Sequence, residues 1–248
     1  MLKFARHLLL IPLLMTMTLS GVLQAEEVTK LLPVSSEQPQ LRRLPVPSPP
    51  KDGVLQLRGP LPSIIRIWIE GDEKRTPLEF GFNKDATLIT VYLPDNQPAV
   101  AALRFLITGK TATHPDGTVV LSALDSEVVG QKAKLETHPG SHRIGFWGRA
   151  EDFVRWHAKI PAGEYDVDLV YSRASRTGTI VSIEIDGSAL PLTLETTGSW
   201  YRYREVRLGT VSVREMTKHL VETRVTRIVN GGVMNLKAIV LTPRRKQE

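Results

Sequence analysis

The chain has 248 residues and no cysteine, so neither a disulfide framework nor a cysteine-linked lipid anchor is open to it, and its cores must hold by packing alone. The formal charge of +6 is scattered along the chain, and the one tight basic run, Arg244-Arg245-Lys246, reads as a solvated tail at 244–248 rather than a nucleic-acid arm. The length suits a leader, a spacer and two small domains.

Residues 1–25 read as a signal peptide. Lys3 and Arg6 supply a basic start, Leu8 to Leu19 an apolar stretch, and Leu23-Gln24-Ala25 a small residue at the expected cleavage point. The apolar stretch is about a dozen residues, short of the ~20 that a membrane-spanning helix needs. The expectation is a secreted or periplasmic protein with no membrane contact after cleavage, its charge lowered to +4 by loss of Lys3 and Arg6. Residues 26–52 follow as a proline-rich linker, with Pro33, Pro39, Pro45, Pro47, Pro49 and Pro50 favouring a semi-rigid extended spacer over a packed element.

From 53 to 110 short runs of β-forming residues alternate with turn compositions. The runs are Val54 to Leu57, Ile64 to Ile69, Leu78 to Phe82, Leu88 to Leu93 and Ala102 to Ile107. Ile65, Ile67 and Ile69 set against Ile64, Arg66 and Trp68 predict a strand with one buried face. The pattern resumes on a larger scale over 116–243. Tyr165, Val167, Leu169 and Tyr171 alternate with Asp166 and Asp168, and Ile183 to Ile185, Asp186-Gly187 and Ser188 to Leu190 read as a hairpin. Met216 to Thr223 admits a brief helical turn, but Leu220 to Val229 fits a strand better. Strands at roughly even spacing without intervening helices predict an all-β chain of two β-sandwich domains, the second a jelly roll.

The motifs Ile144-Gly145-Phe146-Trp147, Asp152 to Trp156, Pro161 to Tyr165, Gly198-Ser199-Trp200, Val206 to Gly209 and Met234-Asn235-Leu236 resemble, in order, family 6 and related carbohydrate-binding modules, a galactose-binding-like sandwich. The segment 53–110, with Ile67 to Glu70, Pro77 to Phe80 and Leu88 to Pro94, is similar to the carboxyl-terminal β-domain of α-L-fucosidases. In that family a catalytic barrel precedes this domain; here only the leader and spacer do, so the resemblance implies no fucosidase chemistry.

What the first resemblance implies is a loop cleft that holds a glycan or polysaccharide. An indole or phenyl face packs on the apolar side of a sugar ring, and an amide both donates to and accepts from its hydroxyls. The matching positions are Phe146 or Trp147, Trp200 and Asn235. Phe146 and Trp147 are adjacent, so one faces inward and one outward, and the sequence does not say which. Trp200 follows a turn and serves either sugar contact or packing; Asn235 serves either hydroxyl recognition or backbone groups at a strand end. Trp156 reads as core.

The calcium site of many such modules is not expected. The positions after Ala123 and after Asn235-Leu236 are Leu124 and Lys237, which offer no oxygen ligand, although Asp125 and Glu127 lie nearby. His138 and His142 stand in a Pro-Gly loop with no evident third metal ligand. Glu151 and Asp152, adjacent on an extended chain, face opposite ways and form no acid/base pair. With no nucleophile elbow, zinc-binding helix motif or phosphate loop, no catalytic residue, metal or cofactor is expected. The function implied is a non-catalytic carbohydrate-binding accessory protein; the alternative is a structural or interaction protein that docks on a separate glycoside hydrolase or envelope component.

Overall fold

The computed structural model describes residues 22–23, 40–46, 53–58, 63–94, 100–137, 142–229 and 231–244. The expected leader lies outside these residues except for β1 (Val22–Leu23), which pairs in parallel with β3 (Val54–Arg58). Cleavage after Ala25 would return β3 to the sheet edge.

The chain is all-β, with one 3₁₀ turn at Ala123–Asp125 among the described residues. The first unit contains β2 (Gln40–Pro45), β3, β4 (Ile64–Ile69), β5 (Phe80–Phe82), β6 (Leu88–Tyr92) and β7 (Ala102–Ile107). The spacer expectation fails over 40–46. Gln40 to Pro45 lie antiparallel to β7 in register from Gln40–Ile107 to Pro45–Ala102, and Leu44 and Val46 are buried. Pro45 is tolerated because β2 is an edge strand of the β2-β7-β4 sheet, where a missing N–H breaks no interior ladder.

The second unit begins with β8 (Ala112–Thr113), β9 (Val119–Ser122), β10 (Glu127–Val129), β11 (Lys134–Glu136) and β12 (Arg143–Gly145). It continues with β13 (Phe153–Ile160), β14 (Gly163–Ser172), β15 (Thr179–Ile185), β16 (Ser188–Leu194), β17 (Arg202–Val213), β18 (Thr217–Arg227) and β19 (Asn235–Pro243). The β15-β16 hairpin turns at Asp186-Gly187, both at positive φ, and β18 starts at Thr217, so no helical turn forms there.

β10-β13-β18-β15-β16 form one layer; β17, β14, β19, β9, β12 and β11 belong to the facing sheet. That sheet does not end at β17. Arg202 pairs with Gly81 and Tyr203 with Phe80, so β5, β6 and β3 of the first unit extend it. The alternation of β9, β14 and β19 therefore serves two cores. Leu121, Leu169, Tyr171, Ile239 and Leu241 face the core inside the second sandwich, with Trp147 and Trp156. Val120, Val170, Ala238 and Val240 face the first unit's core, with Leu57, Ile67 and Phe105. This two-sided burial explains the unbroken apolar run Ala238 to Leu241.

β4 corrects the one-buried-face expectation, because both of its faces are covered. Arg66 is buried and reaches across to the second unit, where its Nε donates to Glu205 at 2.9 Å and one terminal nitrogen bonds Asp168 at 3.2 Å. Arg207 shares Asp168 at 2.5 Å, so the carboxylate expected on the outer face of β14 is sealed in an ion network between the units. At the rim of the same seam Glu79 accepts from Arg202 and Arg204, each at 2.6 Å, and Arg75 pairs with Asp116. No helix among the described residues is long and apolar enough to cross a membrane.

Candidate functional site

Three chain segments that sequence reading marked separately meet at one end of the second sandwich. The β12 end supplies Arg143, Phe146, Trp147 and Gly148; the turn before β17 supplies Trp200 and Tyr201; the approach to β19 supplies Gly232, Met234 and Asn235. With Glu136 of β11 they line an open cleft of about 370 Å³.

The structure resolves the choice between the adjacent aromatics. Phe146 is 63% exposed and Trp147 only 1%. Trp147 is thus no stacking platform: its ring sits in the core and its indole N–H donates to the carbonyl of Asp152 at 3.1 Å. Asp152 in turn holds the loop between β10 and β11: its carboxylate takes the backbone N–H of Gln131, Lys132 and Ala133 at 2.7–2.9 Å. Burial works against that charge, and the three N–H groups outweigh it, holding the carboxyl below the ordinary range. Phe146 projects outward at φ 54°, a conformation costly for an aromatic residue, on the order of 1–3 kcal/mol. The Lys134 ammonium lies 4.2 Å from its ring centroid.

Trp200 is half-buried. Its backbone carbonyl accepts from Asn235 Nδ2 and from Ser172 Oγ, both at 2.8 Å, and the next carbonyl, Tyr201, accepts from Phe82 N of the first unit at 3.0 Å. The turn is therefore tied on one side to its own sandwich and on the other to its neighbour. Gly232 lies under the indole, where a Cβ would stand 3.0 Å from Cη2 of Trp200. The glycine's segment is fixed by buried Arg173, whose guanidinium donates to the carbonyls of Gly232, at 2.8 Å, and Val233.

Asn235 is tied to the backbone and also faces the cleft. Its nitrogen satisfies a backbone group, and its Oδ1 lines the cleft beside Gly145, where a Cβ would approach it to 3.1 Å and collide with Glu136 Oε2. Arg143 Nε donates to Glu136 at 2.5 Å, and its guanidinium lies 5.4 Å from the Tyr201 ring. Burial opposes that charge, but Tyr203 and Glu136 outweigh it and keep the guanidinium protonated. Sequence reading missed Glu136, Arg143, Tyr201 and Gly232. Arg143 and Tyr201 directly adjoin the marked motifs, and the Gly231-Gly232 pair before Met234-Asn235 signals a close approach.

Elsewhere the expected residues have other occupations. Trp156 is core, donating from its indole to Ser122 O at 2.8 Å. Lys237 is the unpaired residue of a bulge in β19 and is 2% exposed. Its ammonium lies 5.0 Å from the Phe82 ring and 5.3 Å from the Tyr203 ring. Burial, and then the charge of Arg143, pull its pKa down to about 7. Asp125 accepts from Thr111 N and Glu127 pairs with Arg155. His142 is half-buried, and His138 lies outside the described residues.

No protein-family model matches the chain, and no curated protein matches it in sequence. Among solved structures it is similar to a family 35 carbohydrate-binding module from Clostridium thermocellum, at 17% identity and TM-score 0.44, over 51% of this chain and 98% of that one. It is also similar to a carbohydrate-binding module of Cellvibrio mixtus lichenase 5A in complex with cellotriose, at 19% identity and TM-score 0.40, over 51% of this chain and 97% of that one. A cycloalternan-forming enzyme from Listeria monocytogenes matches 83% of this chain at 14% identity and TM-score 0.40, and the match spans 19% of the enzyme.

Proposed function

We propose that this chain binds a glycan, without cleaving it, in the cleft between Phe146 and Trp200. The observation that carries the reading is convergence: Phe146, Trp200 and Asn235 come from three distant segments and line one cleft of about 370 Å³. Such a cleft supplies an aromatic flank for the C–H face of a sugar ring and, from Asn235, Arg143 and Glu136, acceptors and donors for its hydroxyls. Trp147 is left out of this role; it sets the turn that presents Phe146.

Binding alone suits the charge inventory. Among the described residues Glu136 is the one carboxylate lining the cleft and is engaged by Arg143, whereas glycoside hydrolysis ordinarily needs two carboxyl groups flanking the bond. One or two aromatic faces give weak affinity, about −4 to −8 kcal/mol, or millimolar to micromolar Kd. The test is retention on a glycan array and in affinity electrophoresis. Trp200→Ala should lose retention with its melting temperature nearly kept, because the backbone carbonyl that anchors the turn remains. Unchanged retention by that variant would overturn the assignment.

A further inference from the structure

A second cleft, of about 280 Å³, opens on the other side of the Trp200 turn. One wall is the turn itself, with Thr197, Ser199, Tyr201 and Arg202; the other belongs to the first unit, with Asn83, Thr90 and Tyr92 of the β5-β6 hairpin. Tyr201 lines both clefts. The second cleft exists only because β5 pairs with β17, and its floor is kept open by Gly81, where a Cβ would meet the carbonyl of Tyr201 at 3.1 Å.

We infer that this cleft is a second sugar subsite, so that one neutral oligosaccharide chain runs from the Phe146–Trp200 cleft past Tyr201 onto the first unit. The inference rests on the glycan reading of the first cleft and adds to it the length of the ligand and a binding role for the first unit. The chemistry of the lining selects the class. Thr90 and the phenol of Tyr92 present hydroxyls, and the Tyr92 ring carries the Arg202 guanidinium 3.9 Å from its centroid, a flat surface for a ring. Among the described residues no carboxylate lines the cleft, and the charge of Arg202 is already met by Glu79 at 2.6 Å. Among the described residues an acidic sugar would find no free cation there; a neutral polyhydroxylated chain finds hydroxyls and the flat stack of Arg202 on Tyr92.

The experiment titrates the full chain with cello-, manno- and laminari-oligosaccharides, from disaccharide to hexasaccharide, by calorimetry. For the series that binds, affinity should rise by about tenfold or more between the shortest binding member and the longest. Tyr92→Ala, and separately Thr90→Met to fill the cleft, should remove that increment and leave the shortest member's affinity unchanged; melting curves establish that each variant is folded. Trp200→Ala should weaken every member. Affinity that does not rise with length, or a rise that survives in both folded cleft variants, overturns the second subsite while the first stands. If no series binds, or Trp200→Ala binds normally, the first reading falls and takes this one with it.

Discussion

The seam between the units and the cleft beside it are built from similar residues put to different ends. In the seam, Arg66, Glu205 and Asp168 are sealed from water, so each charge depends on its partners; in the cleft, Arg143 and Glu136 satisfy one another beside open aromatic edges. Buried ion networks fix one arrangement strongly and tolerate no missing member. Of the cleft pair only Glu136 is part-exposed, while Arg143 is nearly as buried as Arg66. The two regions are coupled through one turn, since Tyr201 is bonded to Phe82 of the first unit and Trp200 to Asn235 and Ser172 of the second.

Breaking the seam should have the largest effect. Arg66→Met strands the carboxylate of Glu205, whose side chain is 4% exposed, and should lower stability by about 3–5 kcal/mol in urea denaturation. A loss below about 1 kcal/mol would mean that the seam is not sealed. The tryptophans sharpen the contrast next. Trp147→Ala removes a buried ring and should cost about 3–5 kcal/mol, whereas Trp200→Ala should cost much less and abolish glycan retention.

Lys237 tests the seam from its unfavourable side. Its pKa in the fold, about 7, is lowered from 10.5, so between those values the unfolded chain holds the extra proton and stability rises with pH. Lys237→Met should flatten that slope and stabilise the protein near pH 6 by an amount on the order of 3 kcal/mol, with the gap closing towards pH 10. Equal pH profiles for the two proteins would show that the ammonium is not desolvated.

The smallest effects belong to the cleft. Gly232→Val should displace Trp200 and weaken glycan binding about tenfold, read by calorimetry. Phe146→Asn relieves the positive φ but removes the exposed ring; stability should hold or rise, by up to about 1 kcal/mol, while affinity falls.

These regions also differ in how plainly the chain announces them. The strands of the second sandwich were legible because residues such as Tyr165 and Val167 alternate with Asp166 and Asp168. The fate of those aspartates was not, because Asp168 meets Arg66 from a unit 102 residues away and no local period encodes that contact. Pro39 and Pro45 made 40–46 read as spacer, since an edge strand tolerates proline and composition cannot tell an edge from a linker. Of the cleft, Trp200 and Asn235 stood out by their motifs. The choice between Phe146 and Trp147 turned on a positive φ at a phenylalanine, which residue type argues against, and Glu136 entered through the pairing of β11 with β12.

The most direct test follows the indole N–H resonances of the four tryptophans by NMR as a binding oligosaccharide is added. The account predicts that Trp200 alone shifts strongly while Trp68, Trp147 and Trp156 stay in place. Saturable binding that leaves the Trp200 resonance unmoved would contradict it.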